Sequence, residues 1–121
     1  MDNDKYLFRR QFILGIHYVD SLEKWNKVSV TDGFCLTAHP DLEVTRVAFK
    51  DNTIVILGYI LDPFNPSLNN QEIVEKISEG ISAPDDIFGQ LETMCGRFAI
   101  IAKINRKIYA HISHICFFHA V

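Results

Sequence analysis

Residues Thr53 to Leu61 (TIVILGYIL) are apolar, β-branched or aromatic at almost every position, with Gly58 the one interruption. A strand with one wet face alternates polar and apolar residues. A short run without that alternation, set between turn residues, reads as a strand buried on both faces. Asp51-Asn52 and Asp62-Pro63 supply the turn chemistry at its two ends. Phe98 to Ala102 (FAIIA) has the same texture. Two such strands in a short chain predict covered layers, not an open sheet with one face in water.

The remaining periodicities fill in around these two strands. Glu43 to Lys50 (EVTRVAFK) alternates, with Val44, Arg46, Ala48 and Lys50 on one side and Glu43, Thr45, Val47 and Phe49 on the other. Joined to the apolar run through Asp51-Asn52, it predicts a hairpin. Lys27–Val30 and Gly33–Ala38 predict two short strands about a Thr31-Asp32-Gly33 turn, and Lys5–Ile16 starts as a strand. Ser21–Lys27, with the single Trp25, fits a helical turn or a strand start equally well. His39-Pro40-Asp41 is a loop, because the residue before proline is pushed out of helical space.

After Leu61 the period changes. Asn69 is placed to cap a helix with Glu72 three residues on, and Ile73, Val74, Ile77 and Ile81 follow at helical spacing up to Gly80. A second helix is expected from Ser82 or Ala83. Pro84, Asp85 and Asp86 would lie in its first turn, Ile87, Phe88, Leu91 and Met94 would form its buried stripe, and Gly96 would end it. Arg97–Lys103, a turn at Asn105-Arg106, and Lys107–Ile112 then form a meander, and the final HICFFHAV is strand-like. Strands, two helices, then strands predict an α+β fold with largely antiparallel sheets and helices packed outside. The chain reads as one domain over residues 1–121. Because Val121 lies inside an apolar run, the last element is expected to continue, either in a longer protein or across a partner.

Composition narrows the partners. A net charge of −3 leaves no electrostatic footprint for nucleic acid, and Arg9-Arg10 and Lys103–Lys107 are the basic clusters. No apolar run approaches the ~18 residues of a membrane span, and the acidic start MDNDKY is unlike a signal peptide. Cys35, Cys95 and Cys116 are an odd set without C-x-x-C spacing, which predicts small buried thiols in a reducing cytoplasm. His111, His114, Cys116 and His119 crowd the terminus. Strand parity sets His111 and His119 opposite to His114 and Cys116, so no metal site is expected. Cys95, expected at a helix C-terminus, and Cys35, in an apolar strand, make poor nucleophiles.

The succession Gly58-Tyr59-Ile60, a loop, a helix carrying Asn70-x-Glu72-Ile73, and then Gly96-Arg97-Phe98-Ala99 resembles class II glutamine amidotransferase domains. Within them it is most similar to the amino-terminal, Ntn-type domain of asparagine synthetase-like proteins. There the order is Asn-Gly-Glu-Ile, Asp-x-Glu on a helix, Leu-x-Gly-x-Phe-Ala and an Asp-containing strand end. The resemblance runs from about Phe12 to the end and covers the first half to two thirds of a complete family domain. It implies two antiparallel sheets between two helical layers, present here in part.

It also implies a nucleophilic cysteine with a free α-amine as base. In this chain the matching segment is Gln11-Phe12-Ile13-Leu14-Gly15-Ile16, so Gln11 stands at the nucleophile position. The oxyanion-binding Asn is replaced by Leu57, with Gly58 retained. The last catalytic-strand Asp falls near His114 and the following glycine near Phe117. These catalytic or shaping positions are lost together, so no glutaminase activity is expected. Tyr59, Asp62 and Asn65, in the loop that borders the glutamine pocket in this family, together with Arg97, form the candidate for a retained ligand pocket. Arg46 and Arg97 are candidate carboxylate holders.

The expected role is structural or substrate-recruiting, beside an ATP-using synthetase domain on the same or a partner chain. This chain carries no ATP-binding motif, and no cofactor is expected of it. The alternative is a stand-alone binding module that forms a homodimer through open strand edges. An active amidohydrolase with an unconventional nucleophile is the remaining reading.

Overall fold

The structure is a computed structural model that describes residues 11–113, apart from 32, 82, 84 and 85. Seven strands and two helices follow in the order β1 (Phe12–Gly15), β2 (Asn26–Thr31), β3 (Phe34–Ala38), β4 (Val44–Phe49), β5 (Asn52–Leu61), α1 (Asn70–Glu79), α2 (Asp86–Leu91), β6 (Cys95–Ile104) and β7 (Lys107–Ser113). They make two antiparallel sheets, one of three strands in the order β1-β3-β2 and one of four in the order β4-β5-β6-β7. The fold is α+β.

Strand parity explains how the two central strands are buried on both faces. On β5 and β6, Ile54, Ile56, Ile60, Phe98, Ile100, Ala102 and Ile104 pack with Ile73, Val74 and Ile77 of α1 and with Ile87 and Leu91 of α2. The intervening residues Val55, Leu57, Ala99 and Ile101 face the other way, against Val30, Leu36 and Ala38 of the small sheet. The layers are therefore helices, four-stranded sheet and three-stranded sheet. The outer face of the small sheet carries no helix among the described residues. The segment after β1 reaches it at two points, with the Val19 amide donating to Thr37 Oγ1 at 3.1 Å and Cys35 Sγ donating to the Ile16 carbonyl at 3.8 Å. Ser21–Lys27 resolves into turns up to Trp25, with β2 starting at Asn26.

The first helix follows its sequence signals. Asn69 Oδ1 accepts from the Glu72 amide at 2.9 Å and Glu72 Oε1 from the Asn69 amide at 3.1 Å, a complete capping box. Gly80 ends the helix in the right-handed region. A Cβ there would lie 2.5 Å from Gln90 Nε2, the far end of a flexible side chain that can swing aside, so neither space nor backbone conformation demands a glycine.

The second helix departs from expectation. It ends at Leu91, Phe88 is 53% exposed, and Met94, although buried, lies beyond it. Pro84 and Asp85 lie outside the described residues. Gly96 belongs to β6, because Cys95 and Gly96 already pair with Leu61 and Ile60, and the ladder competes with further helix. Cys95 is accordingly a strand residue, not a helix terminus.

The two hairpins are tight. Phe49 pairs with Asn52, which makes Lys50-Asp51 the loop, one residue earlier than the sequence suggested, with Lys50 at φ 55°. Ile104 pairs with Lys107 across Asn105 (φ 51°) and Arg106 (φ 69°), the two left-handed residues of a type I′ turn.

Gly58 and Gly96 meet a stricter demand. Both are at positive φ, 105° and 129°, in the one ladder that joins the two central strands. A Cβ on Gly58 would lie 2.3 Å from the Arg97 carbonyl oxygen, and one on Gly96 would lie 2.4 Å from that of Tyr59. Both neighbours are backbone and cannot swing away. Gly58→Ala is therefore expected to destabilise the fold by about 2–4 kcal/mol, combining left-handed strain with overpacking, as read from the urea midpoint. An unchanged midpoint would contradict this close approach.

Candidate functional site

Position 70 decides how the end of β5 is finished. β4 begins at Val44, opposite Leu57, and the Gly58 amide makes the last ladder bond, to the Glu43 carbonyl at 2.8 Å. Beyond it, Gly58 O and Ile60 N face a place with no neighbouring strand among the described residues. The Asn70 carboxamide fills it. Its Nδ2 donates to Gly58 O at 2.9 Å and to Glu43 Oε2 at 2.7 Å, and its Oδ1 accepts from Ile60 N at 3.2 Å. One side chain from the start of α1 thus stands in for a strand, which locks helix to sheet. The signal in the sequence was the second asparagine of Asn69-Asn70, one residue past the cap.

Two residues downstream of Ile60, Asp62 organises the loop between β5 and α1. It is 2% exposed. Its Oδ1 accepts from the Phe64 amide at 3.0 Å, and its Oδ2 accepts from Asn65 Nδ2 at 3.3 Å and from Lys76 Nζ at 3.1 Å. Burial alone would raise the carboxyl's pKa, but the hydrogen bonds from Lys76, Asn65 and Phe64 and the Lys76 charge outweigh it and hold it below its ordinary value. Asp62 and Asn65 are therefore occupied in closing their own loop.

Tyr59 and Arg97 lie elsewhere. They are direct partners across the β5–β6 ladder, on the face that looks toward the small sheet, and both are exposed there. The candidate pocket thus divides into two pairs, Asp62 with Asn65 and Tyr59 with Arg97. Arg46 pairs with Val55 and Arg97 with Tyr59, so the two arginines sit four positions of β5 apart and do not converge.

Of the positions that matched the amidotransferase nucleophile and oxyanion donor, Gln11 is exposed just before β1 and offers its carbonyl to the His39 amide at 3.1 Å. Leu57 is 2% exposed, packed in the inter-sheet core with Val55, Leu36 and, from β1, Phe12 and Leu14. His114, Phe117, Cys116 and His119 lie outside the described residues. His111 is in β7 opposite Ile100, and no cluster of three metal-ligating side chains occurs among the described residues. Cys35 is free, whereas Cys95 is disulfide-bonded, against the expectation of three reduced thiols. No helix among the described residues is long and apolar enough to cross a membrane.

Two clefts flank β4, and the sequence reading missed both. One, of about 510 Å³, opens between β4 and β2, the edges of the two sheets, and is lined by Asn26, Lys27, Pro40, Leu42, Glu43 and Arg46 among others. Arg46 Nε bridges it to the Ser29 carbonyl at 2.8 Å. The other, of about 330 Å³, lies between β4 and α1 and is lined by Val47, Phe49, Gln71, Glu75, Ser78 and Glu79 with their neighbours. A short alternating edge strand was legible, but the grooves beside it depend on where the helix and the second sheet pack.

No protein-family model matches the chain, and neither the curated proteins nor the solved structures contain a significant match to it.

Two predictions follow from this geometry. Asn70→Ala strands Gly58 O and Ile60 N in a partly buried position while leaving the Asn69 cap intact, and should cost about 2–3 kcal/mol in chemical denaturation. For Asp62, the folded pKa lies below the unfolded value of ~3.9. Its contribution to stability is therefore complete above ~3.9 and is lost as the pH falls through the folded value. Asp62→Asn should flatten the acid limb of the stability profile below about pH 4, and an unaltered acid slope would remove Asp62 from the account.

Proposed function

We propose that this chain is a catalytically degenerate glutamine amidotransferase-like domain of an asparagine synthetase-like, amide-forming system. The observation that carries this reading is the state of Leu57. At the position matched to the oxyanion donor stands an alkyl side chain sealed into the inter-sheet core. Hydrolysis of an amide needs a nucleophile and a donor aimed at the developing oxyanion, and loss of one donor alone costs ~10²–10³ in rate. At the nucleophile position, Gln11 offers an amide, which is itself the chemical type of the substrate. The layer order of helices, sheet and sheet among the described residues supports part of an Ntn-like sandwich.

In this reading the domain acts beside an ATP-using synthetase domain, on the same or a partner chain, as a structural or substrate-recruiting element. A cytoplasmic setting belongs to it as well.

A second reading, an interaction module that pairs through an open strand edge, has its own observation in the exposed outer side of β4.

The test is ammonia release from glutamine by the chain and by Gln11→Ala. Both should match the buffer blank, while ammonia that the substitution abolishes would overturn the degenerate reading. The native polypeptide, captured with its companions, should support ATP-dependent amide formation. A polypeptide of 13.9 kDa with no ATP-using companion would leave the interaction module.

A further inference from the structure

β4 is an edge strand with its hydrogen-bonding phase fixed by the Glu43–Gly58 bond. In an antiparallel ladder the residues alternate, so Thr45, Val47 and Phe49 share that phase and bond to β5. The amides and carbonyls of Val44, Arg46 and Ala48 then point outward. None of these backbone groups has a partner among the described residues. Three outward residues in register are a template for one more strand. Among the described residues, no proline, bulge or covering element blocks the template. The register to β5 runs without a break from Val44 to Phe49.

The ground on either side of this edge is built for side chains. A strand added to β4 sends alternate residues to opposite faces of the sheet. On the α1 side they meet the cleft of about 330 Å³ that carries Glu75 and Glu79; Arg46 borders this cleft too, but its guanidinium turns to the β2 side, where Nε donates to the Ser29 carbonyl. On the β2 side they meet the cleft of about 510 Å³ that carries Lys27 and Arg46, where Glu43 is already engaged by Asn70. The two faces thus ask for opposite charge.

We propose that β4 is a docking edge for an extended peptide segment of another protein, taken up as a fifth strand of the large sheet. The segment carries basic side chains at the alternate positions facing α1 and acidic side chains at those facing β2. Main-chain bonds to Val44, Arg46 and Ala48 supply affinity, and the two clefts read the alternation. A second copy of this chain is the poorer occupant. Two-fold pairing of β4 with itself would bring Glu75 and Glu79 of both copies to the same seam. The inference rests on the open edge and is independent of the glutamine assay, so either can fail without the other.

The experiment titrates the isotope-labelled 121-residue chain with the blocked hexapeptide acetyl-Thr-Lys-Glu-Lys-Glu-Thr-amide, which sets lysine on one face and glutamate on the other. The control is acetyl-Thr-Lys-Lys-Glu-Glu-Thr-amide, of equal composition with the faces mixed. The alternating peptide should shift and protect the amides of Val44, Arg46 and Ala48 and bind at least about tenfold more tightly than the control, a difference of about 1.4 kcal/mol. Ala48→Pro removes one outward amide at an edge position that tolerates proline and should abolish binding with the remaining spectrum unchanged. Should Ala48→Pro unfold the chain, Glu75→Lys with Glu79→Lys replaces it and should reverse the preference of the α1 side. Equal binding of both peptides, shifts confined to other surfaces, or concentration-dependent protection of Val44, Arg46 and Ala48 without peptide would overturn the proposal. The last outcome would assign the edge to a second copy.

Discussion

The rest of the structure depends on β5 and β6 being apolar on both faces. A strand with two dry faces cannot sit at a surface, so the sheet they form needs cover on each side. The helices supply one layer and the small sheet the other. Each element is then constrained by where these two strands put their side chains. Ile73, Val74 and Ile77 must meet the face of Ile54, Ile56 and Ile100, while Val30, Leu36 and Ala38 must meet that of Val55, Leu57 and Ile101. Moving the register by one residue would exchange the two layers' contacts along the entire strand.

Where this arrangement ends, polar groups take over from packing. β5 outlasts β4, and its last backbone groups are met by the Asn70 carboxamide. The chain then turns on the buried Asp62, whose charge is held by Lys76 of α1. These two side chains set where α1 starts and which face it presents. The same mismatch of strand lengths concentrates irregular backbone, Gly58 and Gly96 at positive φ, beside Tyr59 and Arg97. The segment matched to the amidotransferase site is thus the place where regular pairing gives out.

Much of this was legible from the residues. The absence of alternation in TIVILGYIL and FAIIA revealed the doubly buried strands, and Asn69 with Glu72 revealed the capping box, because both are local patterns with a direct physical cause. The second helix was overextended, since Met94 keeps helical spacing with Leu91 while the β6 ladder has already claimed Cys95 and Gly96. Gly96 serves that close ladder, which no local pattern could announce. For the candidate site, the loop chemistry of Asp62 and Asn65 was visible as turn residues. Their separation from Tyr59 and Arg97 follows from strand parity at a strand end, and the clefts beside β4 arise from tertiary packing alone.

Amide hydrogen exchange followed residue by residue bears most directly on the central claim, a sheet buried on both faces with one strand edge left open. The amides of residues 53–57 and 98–102 should exchange only through global unfolding, while those of Val44, Arg46 and Ala48 exchange at nearly unprotected rates. Rapid exchange in the β5 and β6 segments, or strong protection along the outer side of β4 in the isolated chain, would contradict the account.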